Sequence, residues 1–238
     1  MVQSIATVDT NNDGRLDIIA GNLGLNSIFK ASEKEPTTLI YKDFDNNGSI
    51  DAILCTYNDG VSYPIHNRDR MLNHMVMLKK RFTRYAPYAR ATIDEIFTPE
   101  ELEDTAILTA TTFEHAVFIN NGKGSFNRSA LPFETQWSVL SSIAPWDIDH
   151  DGQMELIVGG NYYGTDAEFS RYDASIGNIL RTGKDGAFDV LPFAETGLIL
   201  DGNVRQLRIL EIGKEPYLFM VRNNDSFKLF KPTRITKK

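Results

Sequence analysis

Cysteine is almost missing from this chain: Cys55 is the single thiol in 238 residues. An internal disulfide framework and a cysteine-built zinc site each need several thiols, so both are excluded. Long apolar runs are missing too, and no stretch reaches the roughly 18 uncharged apolar residues of a membrane span. Residues 1–10 lack the basic and apolar regions of a signal peptide, so the chain is expected to be cytosolic or to begin after its export signal. Positive charge is in deficit: 25 Lys and Arg against 32 Asp and Glu give a net charge of −7. Such a surface repels phosphate backbones and anionic membranes, and nucleic acid is not an expected partner. Histidine is scarce, the four being His66, His74, His115 and His150. Neither His-x-x-x-His nor Gly-x-Ser-x-Gly occurs, so zinc and nucleophilic chemistry leave little trace. The remainder, 42% hydrophobic and 24% charged, is ordinary globular composition.

Against that background three segments superimpose without gaps: Asp9-Thr-Asn11-Asn-Asp13-Gly14-Arg15-Leu16-Asp17, Asp43-Phe-Asp45-Asn-Asn47-Gly48-Ser49-Ile50-Asp51 and Asp147-Ile-Asp149-His-Asp151-Gly152-Gln153-Met154-Glu155. Oxygen-bearing side chains recur at positions 1, 3, 5 and 9, with Gly at 6 and an apolar residue at 8. Hard Ca²⁺ takes six to eight oxygens at about 2.3–2.6 Å, and a chain wraps one ion only by turning sharply, with Gly absorbing the turn at positive φ. The main-chain carbonyls of Arg15, Ser49 and Gln153 at position 7 would add a further oxygen each. About three calcium sites are therefore expected. Three carboxylates in each of the first two loops, against four in the third, predict weaker binding at the first two. The ion-free alternative is a solvated Asx-rich turn, which the same residue types favour.

An EF-hand begins in the same way but needs a bidentate Glu at position 12 and flanking helices. Position 12 here is Ala20, Leu54 and Val158, inside β-branched runs that read as buried strands. Apolar runs also precede the loops, so each loop is expected to join two strands as a hairpin. Asn121-Gly122 and Asp185-Gly186 supply two more hairpin turns. Residues 204–212, 217–222 and 227–230 read as three further strands. Strand pairs recurring with loop punctuation predict an all-β chain whose sheets close radially as a β-propeller. About four blade equivalents start near Ser4, Thr38, Ser138 and Asn203, within a single domain spanning 1–238. Four is the low end for such folds, so assembly with further blades is a possibility the count leaves open.

The acidic loops followed by strand-Gly-Asn, as in Asp17-Ile18-Ile19-Ala20-Gly21-Asn22, and the Asn-Asn-Gly-Lys-Gly-Ser-Phe hairpin at 120–126 resemble the VCBS and FG-GAP repeats of bacterial extracytoplasmic proteins. Those repeats share the propeller and calcium loops of the integrin alpha-chain head. The resemblance spans most of the chain, and Arg171-Tyr172-Asp173-Ala174-Ser175 with Arg222-Asn223-Asn224-Asp225 is similar to the C-terminal portion of the larger members. It implies a secreted or surface-attached protein concerned with adhesion or assembly. The chain departs from the pattern in lacking a Phe-Gly or Gly-Ala-Pro signature, in the amides Asn11 and Asn47, and in the longer Glu155.

Two insertions interrupt the repeats. In residues 61–104, Met71, Met75, Leu78, Phe82 and Tyr85 recur at helical spacing, which predicts one face of a helix beginning near Asn67. Thr92-Ile93-Asp94-Glu95 and Thr98-Pro99-Glu100-Glu101 each fit a capping box and predict two short helices. Seven basic residues at 66–90 face six acids at 94–104. Self-docking of the two stretches is the favoured reading, with an anionic-ligand surface and a solvated charged face as the alternatives. The second insertion, 162–177, carries Tyr162, Tyr163, Glu168, Arg171, Tyr172 and Asp173, the mixture of rings, carboxylates and Arg that a sugar-binding surface uses; the same mixture suits blade packing, which is the favoured reading. Trp137 and Trp146 are expected in the core.

Three functions follow. The leading one is a non-catalytic, calcium-stabilised extracytoplasmic propeller that recognises a protein or glycan. The second is a calcium-dependent polysaccharide lyase, which would need a base converging on an ion. The third is a purely structural segment of a larger assembly. Loops with few carboxylates bind calcium at about 10⁻⁴–10⁻³ M and fill outside cells, which points to periplasm or cell surface.

Overall fold

The computed structural model describes residues 2–183 and 187–233. Along the chain its strands are β1 (Ser4–Val8), β2 (Asp17–Gly21), β3 (Thr37–Lys42), β4 (Asp51–Asn58), β5 (Val61–Pro64), β6 (Ala106–Ala110), β7 (Ala116–Asn120), β8 (Phe126–Ala130), β9 (Leu140–Trp146), β10 (Glu155–Gly160), β11 (Asn178–Thr182), β12 (Phe188–Val190), β13 (Val204–Ile212), β14 (Glu215–Arg222) and β15 (Lys228–Phe230). They form four antiparallel sheets, ordered β1-β2-β7-β8, β5-β4-β3-β6, β12-β11-β10-β9 and β13-β14-β15. The protein is thus mostly β. No helix among the described residues is long and apolar enough to cross a membrane.

The chain divides into two compact units, one running through Ile28 and resuming at Glu114, the other spanning Phe29–Phe113. In the first unit the hairpin β7–β8 completes the sheet begun by β1 and β2, pairing Ile19 with Val117. The whole second unit is therefore inserted in the chain between two neighbouring strands of one sheet.

Alternation builds the first unit's core. On β10, Leu156 and Val158 join Val8, Ile19, Val117, Leu140 and Leu180, whereas Ile157 joins Ala144, Val204, Leu207, Leu218 and Met220. Successive strand residues point to opposite faces, so the sheet containing β10 is packed on both sides. Each such side chain contributes about 1.5–3 kcal/mol by leaving water. The strand-Gly-Asn pattern has a steric reason here: a Cβ on Gly21 would lie 2.4 Å from the Leu140 carbonyl oxygen. Asn22 follows, and its N–H donates to Nδ1 of the fully buried His115 at 2.8 Å. His115 Nε2 therefore carries the proton, donated to Ser138 O at 2.9 Å, and burial pushes the imidazole pKa down to about 4.

In the second unit, Ile40, Ile53 and Cys55 of the sheet pack with Met71, Met75, Leu78, Phe82, Ile96 and Phe97 from the intervening segment. That segment holds α1 (Arg68–His74), a 3-10 turn at Val76–Lys80, α2 (Tyr85–Tyr88), α3 (Ile93–Ile96) and α4 (Pro99–Leu102). Asn67 caps α1 by accepting from Arg70 N–H, and both expected capping boxes are present at Thr92 and Thr98. The expected single helical face does not persist. The helix ends at Met75, at φ −116° and ψ 87°, so Met71, Met75, Leu78 and Phe82 are buried but Tyr85, at the start of α2, is 63% exposed. The basic and acidic stretches meet at Arg81, which grips Glu101 through two 2.7 Å bonds and donates to Ile96 O at 3.0 Å. In the first unit, Trp137 is a second correction: it lies in a 3-10 turn at Phe133–Trp137, 42% exposed against Phe133, while Trp146 packs beside the Leu207 cluster.

Candidate metal centres

The three acidic segments fold alike because the same side chains satisfy the same backbone donors. Position 1 accepts from the N–H groups of positions 5 and 6: Asp9 from Asp13 and Gly14 at 3.1 and 2.8 Å, Asp43 from Asn47 and Gly48 at 3.0 and 2.9 Å, Asp147 from Asp151 and Gly152, both at 3.1 Å. Position 5 accepts from position 7, with Asp13, Asn47 and Asp151 receiving the N–H of Arg15, Ser49 and Gln153 at 2.8–2.9 Å. Position 9 reaches back to position 2, where Asp17, Asp51 and Glu155 accept from Thr10, Phe44 and Ile148. Two left-handed residues close each turn: Asn12, Asn46 and His150 at φ 55–58°, then Gly14, Gly48 and Gly152 at φ 81–89°. The turns close hairpins whose last strand pairs are Val8–Asp17, Lys42–Asp51 and Trp146–Glu155.

The carboxylates do not converge equally. Asp43, Asp45 and Asp51 bring oxygens within 4.8 Å of one another, and so do Asp147, Asp149 and Asp151, so either trio could hold a metal ion. In both, an oxygen of the position 3 carboxylate, Oδ1 of Asp45 and of Asp149, is buried without a hydrogen-bond partner. A buried carboxylate oxygen with no donor is costly. The fit is to a hard cation, since every donor present is oxygen. Burial pushes the Asp51 carboxyl above its usual range; Phe44 N–H opposes this and the Asp45 and Asp43 charges reinforce it. In the first loop burial acts the same way on Asp9, yet the N–H groups of Gly14, Asp13, Asn11 and Asn12 hold its carboxyl below the usual range.

Two guanidinium groups, not anticipated from the spacing, enter the other loops. Arg15, counted in the sequence only for its carbonyl, turns its side chain back to pair with Asp13 and donates from Nε to Asn120 O at 3.1 Å. Asn11 at position 3 leaves this loop outside the carboxylate trios found among the described residues. Asp17 is fully buried and also accepts from Asn120 N–H at 2.8 Å. In the third loop Arg181 of β11 bridges Asp149 Oδ2 at 3.0 Å and Glu155 Oε1 at 3.1 Å. The longer Glu155, 1% exposed, is thereby held by a neighbouring strand and is not part of its trio. The one legible signal was an Arg set within the apolar run 178–182.

In the second insertion, Tyr162 and Tyr172 exchange backbone hydrogen bonds at 2.8 and 3.0 Å. The Arg171 guanidinium lies 5.1 Å from the Tyr163 ring centre and Arg205 lies 5.4 Å from that of Tyr162. One face of each ring is thus taken by a cation. Glu168 and Asp173 are exposed, with Glu168 N–H donating to Asp166. The expected Asp185-Gly186 turn lies outside the described residues. Neither a protein-family model nor a curated protein matches this chain, so the resemblance to VCBS and FG-GAP repeats stands on its loop and hairpin residues.

Proposed function

We propose that the chain is a non-catalytic, calcium-stabilised β-propeller segment that works outside the cytoplasm in recognising a protein or glycan. One observation carries this reading: three loops of one conformation, two of which gather three carboxylates around a buried, unpartnered oxygen. A site with oxygen donors alone favours Ca²⁺ over zinc or copper. Sheets packed face to face in series through the Leu156 and Ile157 clusters support the radial arrangement. Weak sites of this kind fill at extracellular calcium, which supports the periplasm or cell surface. The ions fasten hairpins and catalyse nothing.

Thermal melting with millimolar calcium and with chelator tests the reading. At free calcium 100 times the dissociation constant each filled site adds about 2.7 kcal/mol. The melting temperature should rise with calcium, and Asp45→Ala should remove the share due to the second loop. A melt indifferent to both additions rejects the proposal.

A further inference from the structure

We propose that a cleft in the second unit, between the end of β5 and the helices α1 and α2, binds an acidic sugar residue. Its ring would rest on tyrosine faces and its carboxylate would meet the neighbouring cations. The cleft has a volume of about 250 Å³ and is lined by Tyr63, His66, Arg68, Tyr85, Tyr88 and Ala89 among others. That volume suits a single sugar ring rather than a length of polymer.

Its walls are fixed before any ligand arrives. Tyr88 Oη donates to His66 O at 2.8 Å, Tyr85 Oη to Asp69 at 2.6 Å, and Arg68 Nε to Phe82 O at 2.8 Å. Arg68 covers one face of Tyr85 with its guanidinium 4.8 Å from the ring centre. With those polar groups committed, the wall is mostly apolar: Tyr88 is buried edge-on against Phe82, Tyr63 and Tyr85 are more exposed, and the Tyr63 hydroxyl is uncommitted among the described residues. Flat rings with few polar groups suit the apolar face of a pyranose.

Charge decides between a neutral and an acidic sugar. A second hollow shares Arg68 with the cleft and includes Lys79 and Asp69; Asp69 pairs with Arg68 at 2.7 Å, which leaves Lys79 as its unpaired cation among the described residues. Lys79, Lys80, Arg84 and Arg90 are exposed and form no ion pair among the described residues, and Arg84 and Arg90 adjoin lining residues in the chain. Arg81 of this segment is absorbed by the acidic stretch, through Glu101. A local excess of cations on a chain of net charge −7 favours one carboxylate per ring over the dense phosphates of nucleic acid.

This inference names a ligand for the recognition part of the proposed function and rests on that part alone. Calorimetric titration of the full chain with a diuronide, a neutral disaccharide of the same linkage and inorganic phosphate, at fixed free calcium, is the test. The diuronide should bind saturably, about 10-fold tighter than the neutral disaccharide. Tyr85→Ala should weaken it about 10-fold while the chain still melts cooperatively, Tyr85→Phe, which keeps the ring, should bind within about 2-fold of the unmodified chain, and Lys79→Glu should weaken it about 3-fold. Diuronide binding that is absent, indifferent to Tyr85→Ala, or matched by the neutral sugar or by phosphate overturns the proposal. Loss of binding with an intact calcium response rejects the cleft alone; binding without a calcium response rejects the calcium scaffold alone.

Discussion

The loops at 9–17 and 43–51 trace the same backbone and differ in what occupies their centres. In the first, Arg15 pairs with Asp13 and Asn120 N–H meets Asp17, so the position 5 and 9 carboxylates already have donors. In the second, three carboxylates crowd together, Asp45 keeps a buried oxygen without a donor and Asp51 is pushed up. A shared conformation therefore does not mark a metal site, because the hydrogen bonds of Asp9 and Asp43 hold the turn in both. What separates the loops is unneutralised charge, the feature on which the proposed metal binding rests. Counting carboxylates ranks the third loop highest, but subtracting Arg181 leaves it level with the second, at three net negative charges each, while the first falls to two.

Acid gives the largest expected effect and has to be separated from the loops before they are compared. His115 titrates near 4 in the fold and near 6.5 when unfolded, so between those values the unfolded chain binds the extra proton. Stability is complete above about pH 6.5 and declines as pH falls towards 4, by about 3 kcal/mol in all. Denaturation at pH 7, 5.5 and 4 in chelator should follow that course, and the imidazole resonance of His115 should titrate near 4. A resonance titrating near 6.5 would contradict the buried neutral histidine.

Next in size is Arg181→Ala. It strands Glu155, 1% exposed, without its cation, and the cost in chelator should be about 2 kcal/mol because Arg181 is itself a third exposed. Calcium should return part of that loss by taking over the role of the guanidinium. The gap between calcium and chelator in urea midpoint should therefore be wider than in the unmodified protein. An unchanged gap would mean that the third loop gains nothing from a metal, and the second loop would then stand apart from both others.

These contrasts also show what the sequence made legible. The loops, their hairpins and the capping boxes at Thr92 and Thr98 could be read directly, since each is specified within about nine residues by side chains that satisfy nearby donors. The return of β7 to β2 across residues 29–113 could not, because strand pairing between distant segments leaves no local pattern. Periodicity misplaced Tyr85 for a related reason: it presumes an unbroken helix, and the break at Met75 resets the face. Arg181 was missed because its role depends on the β10–β11 register, which sets Leu156 opposite Leu180 and brings the following Arg beside Glu155.

The smallest expected effect bears most closely on the first and second loops. Arg15→Ala removes an exposed ion pair, so without calcium it should cost under about 1 kcal/mol. With calcium its sign should reverse. Freeing Asp13 restores three net negative charges, and the affinity of the first loop should rise about 10-fold towards that of the second. Calcium titrations of Arg15→Ala in a background carrying both Asp45→Ala and Asp149→Ala isolate the first loop, and adding Asn11→Asp should give a further increment. If the affinity stays flat in both, neither the Arg15 pairing nor the missing position 3 carboxylate is what separates the loops.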